Sequence, residues 1–352
     1  MSSFQRTFLP HVDDQKEETD RALETYDECS VHPTKHGRYI ISTGHPQLDR
    51  IIGGFELHTL TFWTHRVDQI LASGSCVSLV QDLSRYFVAE GILSNQTTII
   101  LTKDIDEGNH FIKDLIPAAK PLSNSTTSKE NATKTLNIAW QYGKYLDTNS
   151  QPHKTKANKF CHQFDLSQRM SSQQIDLNRP IIVSVSEPIK TDIPSHLIAC
   201  DYFVQLFDAL KHQIQLIVNR HMKFRVIRIN ILQIVPKLSS SLHEIQTEFY
   251  HFLRKLKLLT SQYPIVCFLP TQLYNSSDSF QHVISHTTDY NFNVQSFTGE
   301  KAFLPIELSS FDGILTIDKI SNSHSLASNS LDAVRLGLQF RVQIGRMNRN
   351  RK

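Results

Sequence analysis

The stretch PIVCFLP, at 264–270, runs for seven positions without a polar side chain, and Val/Ile-rich runs of the same kind recur along the chain. A strand with one face in water alternates polar and apolar residues, whereas a strand covered on both faces does not need to. Runs of this kind therefore call for helices on both sides of a sheet. The intervening segments supply them. From the amino end, residues 38–42 read as a strand, 45–52 as a short helix closed by Gly53 and Gly54, and 59–64 as a strand. A long helix is expected over 69–93 and a strand over 97–102. A helix over 107–116 should stop at Pro117, whose ring and missing N–H end a helical run. IAWQY at 138–142 reads as a short strand. A strand at 180–185, a long helix within 195–220, the buried strand FRVIRINIL and an amphipathic helix over 242–259 follow. After PIVCFLP come GILTI and a closing strand FRVQIG. This alternation predicts an α/β domain on a mostly parallel central sheet flanked by helices.

The segment STGHPQLDRIIGG, at 42–54, resembles the entry to RecA-like domains of the recombinase and KaiC type, in which a short helix leads into the first core strand and then a phosphate loop. An active loop of that kind reads GxxxxGK[ST]; its backbone N–H groups and lysine cradle phosphates and its hydroxyl holds magnesium. Here the corresponding place reads TLTFWTHRVDQILASGS, with no glycine between Gly54 and Gly74. Gly143-Lys144 is followed by Tyr145, so it is not a displaced phosphate loop. A metal-binding acid should end a buried strand, yet FRVIRINIL passes through Asn230 into apolar residues and PIVCFLP leads into Thr271 and Gln272. Asp318 follows GILTI but comes late in the order. Trp63 and branched side chains stand where the backbone would approach a phosphate. A RecA-like fold with a degenerate P-loop is expected.

Catalytic and metal chemistry find little support elsewhere. Cys161 and His162 are adjacent, and neighbours on an extended segment point to opposite faces, so a kink is needed for both to reach one centre. His282 and His286 stand four apart, as in a zincin helix, but Val283 follows where that chemistry requires glutamate. Glu244 and Glu248 read as helix-surface acids. The sequence therefore assigns no catalytic residue, no metal ligand and no cofactor.

Charge is unevenly placed. The chain of 352 residues has a net charge of only +3, so global basicity does not announce nucleic acid. Between Asp13 and Glu28, however, eight acids face Lys16 and Arg21, while the last residues are rich in arginine. An acidic, disordered tail over residues 1–36 and a basic tail over 346–352 are expected around a domain at 37–345, with flexible polar insertions near 120–135 and 147–158. Basic clusters at Lys154, Lys156 and Lys159, and at Arg346, Arg349 and Arg351, are candidate RNA-binding residues, because mobile cations neutralise phosphates without reading bases. Five scattered cysteines without a CxxC suit free thiols in a reducing compartment. No signal-peptide or membrane-spanning run is present, so a soluble intracellular protein without a membrane partner is expected.

The blocks STGHPQLDRIIGG, RYFVAEGI, IAWQY, KFCHQFDL, HFLRKLKLL before PIVCFLPTQLY, and FDGILTI leading to FRVQIG occur in the order that characterises the PAXNEB family, subunit 4 of the Elongator complex. The chain resembles that family from Ser42 to near its end. The resemblance implies a RecA-like subunit alternating with subunits 5 and 6 in a hetero-hexameric ring, held with the remaining Elongator subunits in the cytoplasm and nucleus. It further implies binding of tRNA in support of wobble-uridine modification at carbon 5, with the chemistry carried by another subunit. Where the family carries a third glycine, a proline-glycine turn and acidic residues, this chain has Phe55, His58 and Thr64-His65-Arg66. The reading is thus a noncatalytic scaffold and tRNA-contacting subunit. The alternatives are a nucleotide hydrolase with an atypical site at a subunit interface, and a DNA-binding recombinase relative with a dead nucleotide site.

Overall fold

The computed structural model describes residues 30–34, 37–65, 73–119, 160–185, 195–221, 225–234, 242–270, 278–297, 306, 311–321 and 334–338. The chain opens with β1 (His32–Pro33) and β2 (Tyr39–Ile41), then α1 (Pro46–Ile52) and β3 (Phe55–Glu56). These three short strands form a separate antiparallel sheet, so the strand read at 38–42 does not join the main one. Gly53 ends α1 at φ 81°, a left-handed conformation that costs glycine least, and its N–H returns to the Asp49 carbonyl.

The main sheet begins with β4 (Thr59–His65), followed by α2 (Ser73–Leu93), β5 (Thr97–Leu101) and α3 (Ile105–Lys113). Asp104 caps α3 by accepting from the Asp106 N–H. The helix ends before Pro117, because Leu115 and Ile116 turn into the core and Ala118 bridges to Phe164. Then come α4 (Ser172–Leu177), β6 (Ile181–Val183), α5 (Ser195–His221), β7 (Ile227–Ile231), α6 (Leu242–Gln262) and β8 (Ile265–Pro270). The last described elements are α7 (Asp278–Thr287), β9 (Tyr290–Ser296), β10 (Gly313–Lys319) and β11 (Val334–Leu338). The final described strand is therefore VRLGL; FRVQIG and IAWQY lie outside the described residues.

Eight strands form the main sheet in the order β11-β10-β9-β4-β8-β7-β5-β6. The six from β9 to β6 are parallel, and β10 and β11 extend the edge antiparallel. Side chains from α1 to α4 share one core with Trp63, Ile100 and Phe268, while α5 to α7 cover the opposite face against Phe62, Ile229 and Leu269. Both faces are buried, as the uninterrupted apolar runs require. This is a mostly parallel α/β architecture consistent with a RecA-like fold. Among the described residues, no helix is long and apolar enough to cross a membrane.

Candidate functional site

In open parallel sheets ligands sit beyond the carboxyl ends of the strands, where neighbouring connections depart in opposite directions. From β4 the chain crosses one face through α2 to β5, and from β8 it crosses the other through α7 to β9. The switch point therefore lies between β4 and β8. Its floor is aromatic. Trp63, 1% exposed, stacks on Phe292 at 4.2 Å and on Phe268 at 4.8 Å between ring centroids, with interplanar angles of 20° and 19°. Its Nε1–H donates to Thr61 Oγ1 at 3.0 Å, and Thr61 in turn donates to the Cys267 carbonyl. The indole N–H of this stack is thus satisfied from within the sheet. The stretch 66–72, where a phosphate loop would be sought, lies outside the described residues.

On β7, Arg228 and Asn230 project toward the α2 side, while Ile227, Ile229 and Ile231 face α5 and α6. Asn230 is fully buried, and neither side-chain amide atom has a hydrogen-bond partner among the described residues. Beyond β7 the chain continues through Leu232, Gln233 and Ile234, without a carboxylate, still paired to the Leu101 carbonyl. Asp318 lies on β10, two strands from β4, where its neighbours register through Phe292 and Asn291 with the middle of β4. Burial raises its pKa. His282 and His286 are exposed on α7; His286 lines an open groove of about 630 Å³ between α6 and α7 together with Arg254, Leu258 and Val283. Among the described residues, no group of three or more His, Cys, Asp or Glu is placed to hold a metal ion.

The polar chemistry is concentrated elsewhere, where blocks distant in sequence converge. Ser42 Oγ donates to Asp49 Oδ2 at 2.6 Å and the Thr43 N–H to Oδ1 at 2.8 Å, so α1 is tied to the turn before it. Gly44, at φ 88°, lets this turn approach α2, where a Cβ would meet the Tyr86 carbonyl oxygen at 2.4 Å. Arg228 reaches through the core from β7 and donates to Gln96 Oε1, to the Phe87 carbonyl at 3.1 Å and to the Ser42 carbonyl at 2.9 Å. It also lies 4.7 Å from the Phe87 ring centroid. Burial lowers its pKa to about 10, with Glu90 and Asp49 opposing, so the guanidinium stays charged at neutral pH.

Glu90, on α2, is the second carboxylate of this network, and its side chain is 0% exposed. It accepts from the His162 N–H at 2.9 Å and from Ser94 Oγ at 2.8 Å, and His162 Nδ1 lies 3.0 Å from its Oε1. Burial pushes its pKa up, but His162 and then Arg228 outweigh that and leave it below the ordinary glutamate value. Cys161 feels the same network. Burial first, then the charges of Glu90 and Asp49, push its thiol pKa far upward, and its Sγ–H donates to the His162 carbonyl. A thiol held protonated is a poor nucleophile and a poor metal ligand. A bend at Phe160 and Cys161 supplies the kink that brings both neighbours to one place, against the extended segment anticipated. The site thus joins β7, α1, α2 and the segment after Phe160 through two carboxylates, a guanidinium and an imidazole.

Sequence reasoning singled out Cys161 and His162 but missed their partners. The available signal for Arg228 was the alternation within IRINI, which places a charge inside a strand read as buried. The candidate RNA-binding residues Lys154, Lys156, Lys159, Arg346, Arg349 and Arg351 lie outside the described residues.

Comparison with known proteins gives the following likenesses. The PAXNEB protein family matches residues 27–348. "Elongator complex protein 4" of Dictyostelium discoideum is 25% identical over 327 residues, covering 83% of this chain and 70% of that protein. The proteins of the same name from Mus musculus and Xenopus laevis are each 23% identical, covering 88% and 90% of this chain and 76% and 79% of their own lengths.

Proposed function

The chain belongs to the PAXNEB family, and on that premise we propose that it is a noncatalytic RecA-like subunit of an Elongator complex, serving as scaffold and tRNA-contacting member of a ring with subunits 5 and 6. The observation that carries this reading is the family match from residue 27 to residue 348, supported by relatives named for that complex that align over most of the chain. The noncatalytic role is supported by a sequence without a Gly-Lys-Ser/Thr loop and by the aromatic floor at Trp63. The tRNA-contacting role is supported by charge. Residues 120–159 hold seven lysines against Glu130 and Asp147, a net +5 in a chain of net +3. Phosphate contacts of this kind add affinity without base specificity and suit recognition of a folded RNA by shape.

On this reading Lys154, Lys156, Lys159, Arg346, Arg349 and Arg351 contact the tRNA backbone, on an insertion and a tail of a domain spanning 37–345. The acidic residues 1–36 precede that domain, and the assembly serves wobble-uridine modification in the cytoplasm and nucleus. Affinity purification of the tagged full chain with mass-spectrometric identification of partners tests the assignment. Subunits 5 and 6 should be recovered in proportion to the bait, and their absence would overturn the ring. Calorimetric titration with Mg-ATP should be flat; a micromolar isotherm abolished by changes within 64–74 would establish a nucleotide site instead.

A further inference from the structure

We propose that the groove between α6 and α7 is a docking site for an acidic amphipathic helix of another protein, which seats an aliphatic side chain between Leu258 and Val283 and sets its carboxylates against Arg254 and His286. The proposal stands independently of the tRNA reading above. Each wall is one face of a helix. On α6, Tyr250, Arg254, Leu258 and Ser261 follow one another at helical spacing, and on α7 Val283 and His286 do the same, so each set lines up along the groove. The inward faces of these helices carry the core, with Phe249, Phe252, Leu253 and Leu256 from α6 and Ile284 from α7. The domain therefore packs without the groove residues. Leu258 is 62% exposed and Val283 42%, and both line one depression of about 630 Å³. Apolar side chains scattered singly over a surface are ordinary, but two that meet from different helices in one groove mark an interaction site.

Charge selects the partner. The lining holds Arg254, Lys257 and His286 and no carboxylate. Lys257 is already engaged: its ammonium pairs with Asp289, which turns toward the sheet to accept from the Leu60 N–H at 2.7 Å. Arg254 is exposed and has no ion-pair partner among the described residues; its guanidinium reaches only the Tyr250 hydroxyl, at 3.4 Å along the same wall. The acids of α6, Glu244 and Glu248, lie in its first two turns, and Glu248 lines the opposite flank, toward α5. The groove thus offers an aliphatic floor with an uncompensated cation on one wall and a titratable imidazole on the other. A helix with one apolar stripe bordered by carboxylates matches it, because that stripe repeats at the three- and four-residue spacing of the walls. A nucleic acid suits it less. Backbone recognition takes several unpaired cations and bases stack on aromatic faces, whereas the exposed apolar groups here are branched aliphatics.

The probe is a fluorescein-labelled synthetic peptide of about five helical turns, with leucine at every third and fourth position, glutamate between, and a photoreactive leucine at its centre. Its control carries lysine in place of glutamate. Binding to the full chain is followed by fluorescence anisotropy at several salt concentrations. The glutamate peptide should bind with a Kd of roughly tens of micromolar and crosslink within 250–261 and 283–287, and the lysine peptide should bind at least about tenfold more weakly. Leu258→Asp and, on the other wall, Val283→Asp should each weaken the glutamate peptide roughly tenfold. Arg254→Gln should weaken it roughly threefold and flatten its salt dependence. All three positions are exposed, so circular dichroism should remain that of the parent. The crosslink map on the parent decides the site even where a variant is unstable. No binding by the parent, equal affinity for the lysine peptide, crosslinks elsewhere, or unchanged affinity in both aspartate variants would overturn the proposal. So would a parent chain that self-associates until Leu258→Asp is introduced, which gives the groove to a second copy, or tRNA that displaces the peptide and is itself weakened by Leu258→Asp.

Discussion

Two regions of this domain lie on the same face of the sheet and are built on opposite principles. At the carboxyl ends of β4 and β8, where a parallel α/β sheet ordinarily places its ligand, Trp63, Phe268 and Phe292 stack into a buried floor. Beside α1 and α2, four ionisable groups are satisfied by hydrogen bonds: Glu90 with His162 and Ser94, Asp49 with the Ser42 hydroxyl and the Thr43 N–H, and Arg228 with Gln96 and the carbonyls of Phe87 and Ser42. The first region is held by contact area and dispersion, the second by pairing that fails if one member is removed. The contrast teaches that, among the described residues, the polar side chains join segments distant in sequence while the rings near the end of β4 pack against one another.

Perturbations should separate the two regions. The largest effect is expected from Arg228→Met. Deleting a fully buried cation leaves Glu90 and Asp49 without it and strands the oxygens that accepted from it, a loss of about 3–5 kcal/mol. Urea unfolding monitored by fluorescence measures this, and a loss under 1 kcal/mol would erase the distinction between the regions. Trp63→Ala should follow closely at about 3–4 kcal/mol, as a cavity term. Unlike the first, its cost should be the same at low and high salt, because no charge is involved.

Glu90→Gln should cost less, about 2 kcal/mol, since the amide keeps an acceptor while losing the charge-assisted bonds. It also sharpens the contrast through pH. Glu90 titrates lower when folded than its ordinary 4.5, so its stabilisation is complete above that value and is lost as the pH falls through the depressed one. The parent should therefore weaken on acidification below pH 4.5 more steeply than Glu90→Gln, whereas Trp63→Ala should keep the parent's slope. Equal slopes for the parent and Glu90→Gln in acid unfolding curves would remove Glu90 from the network's energetics. The smallest effect belongs to neither region. His282→Ala, at an exposed site on α7, should change stability by no more than about 0.5 kcal/mol, and a larger loss would reveal a third structured site.

The elements were legible because they are local. The apolar run at 264–270 marked β8, and the capping glycine Gly53 marked the end of α1. The missing Gly-Lys-Ser/Thr loop was also a matter of reading consecutive residues. Placement was decided by tertiary pairing. Tyr39–Ile41 is a strand, as read, but which sheet it joins depends on its pairing with Phe55–Glu56. Leu115 and Ile116 continue a helical pattern yet leave the helix and are buried in the core, ahead of Ala118, which bridges to Phe164.

By itself the sequence determined the α/β class, the covered parallel sheet and the lack of a Gly-Lys-Ser/Thr motif, since each follows from side-chain periodicity or spacing over a few residues. Only the tertiary structure decided that Ser42 would accept from Arg228, 186 positions away, and that Glu90 would receive His162 across 72. Those contacts depend on strand order and register, which set whether Arg228 faces α2 or the α5–α6 side, and no local pattern encodes the order in which eight strands line up.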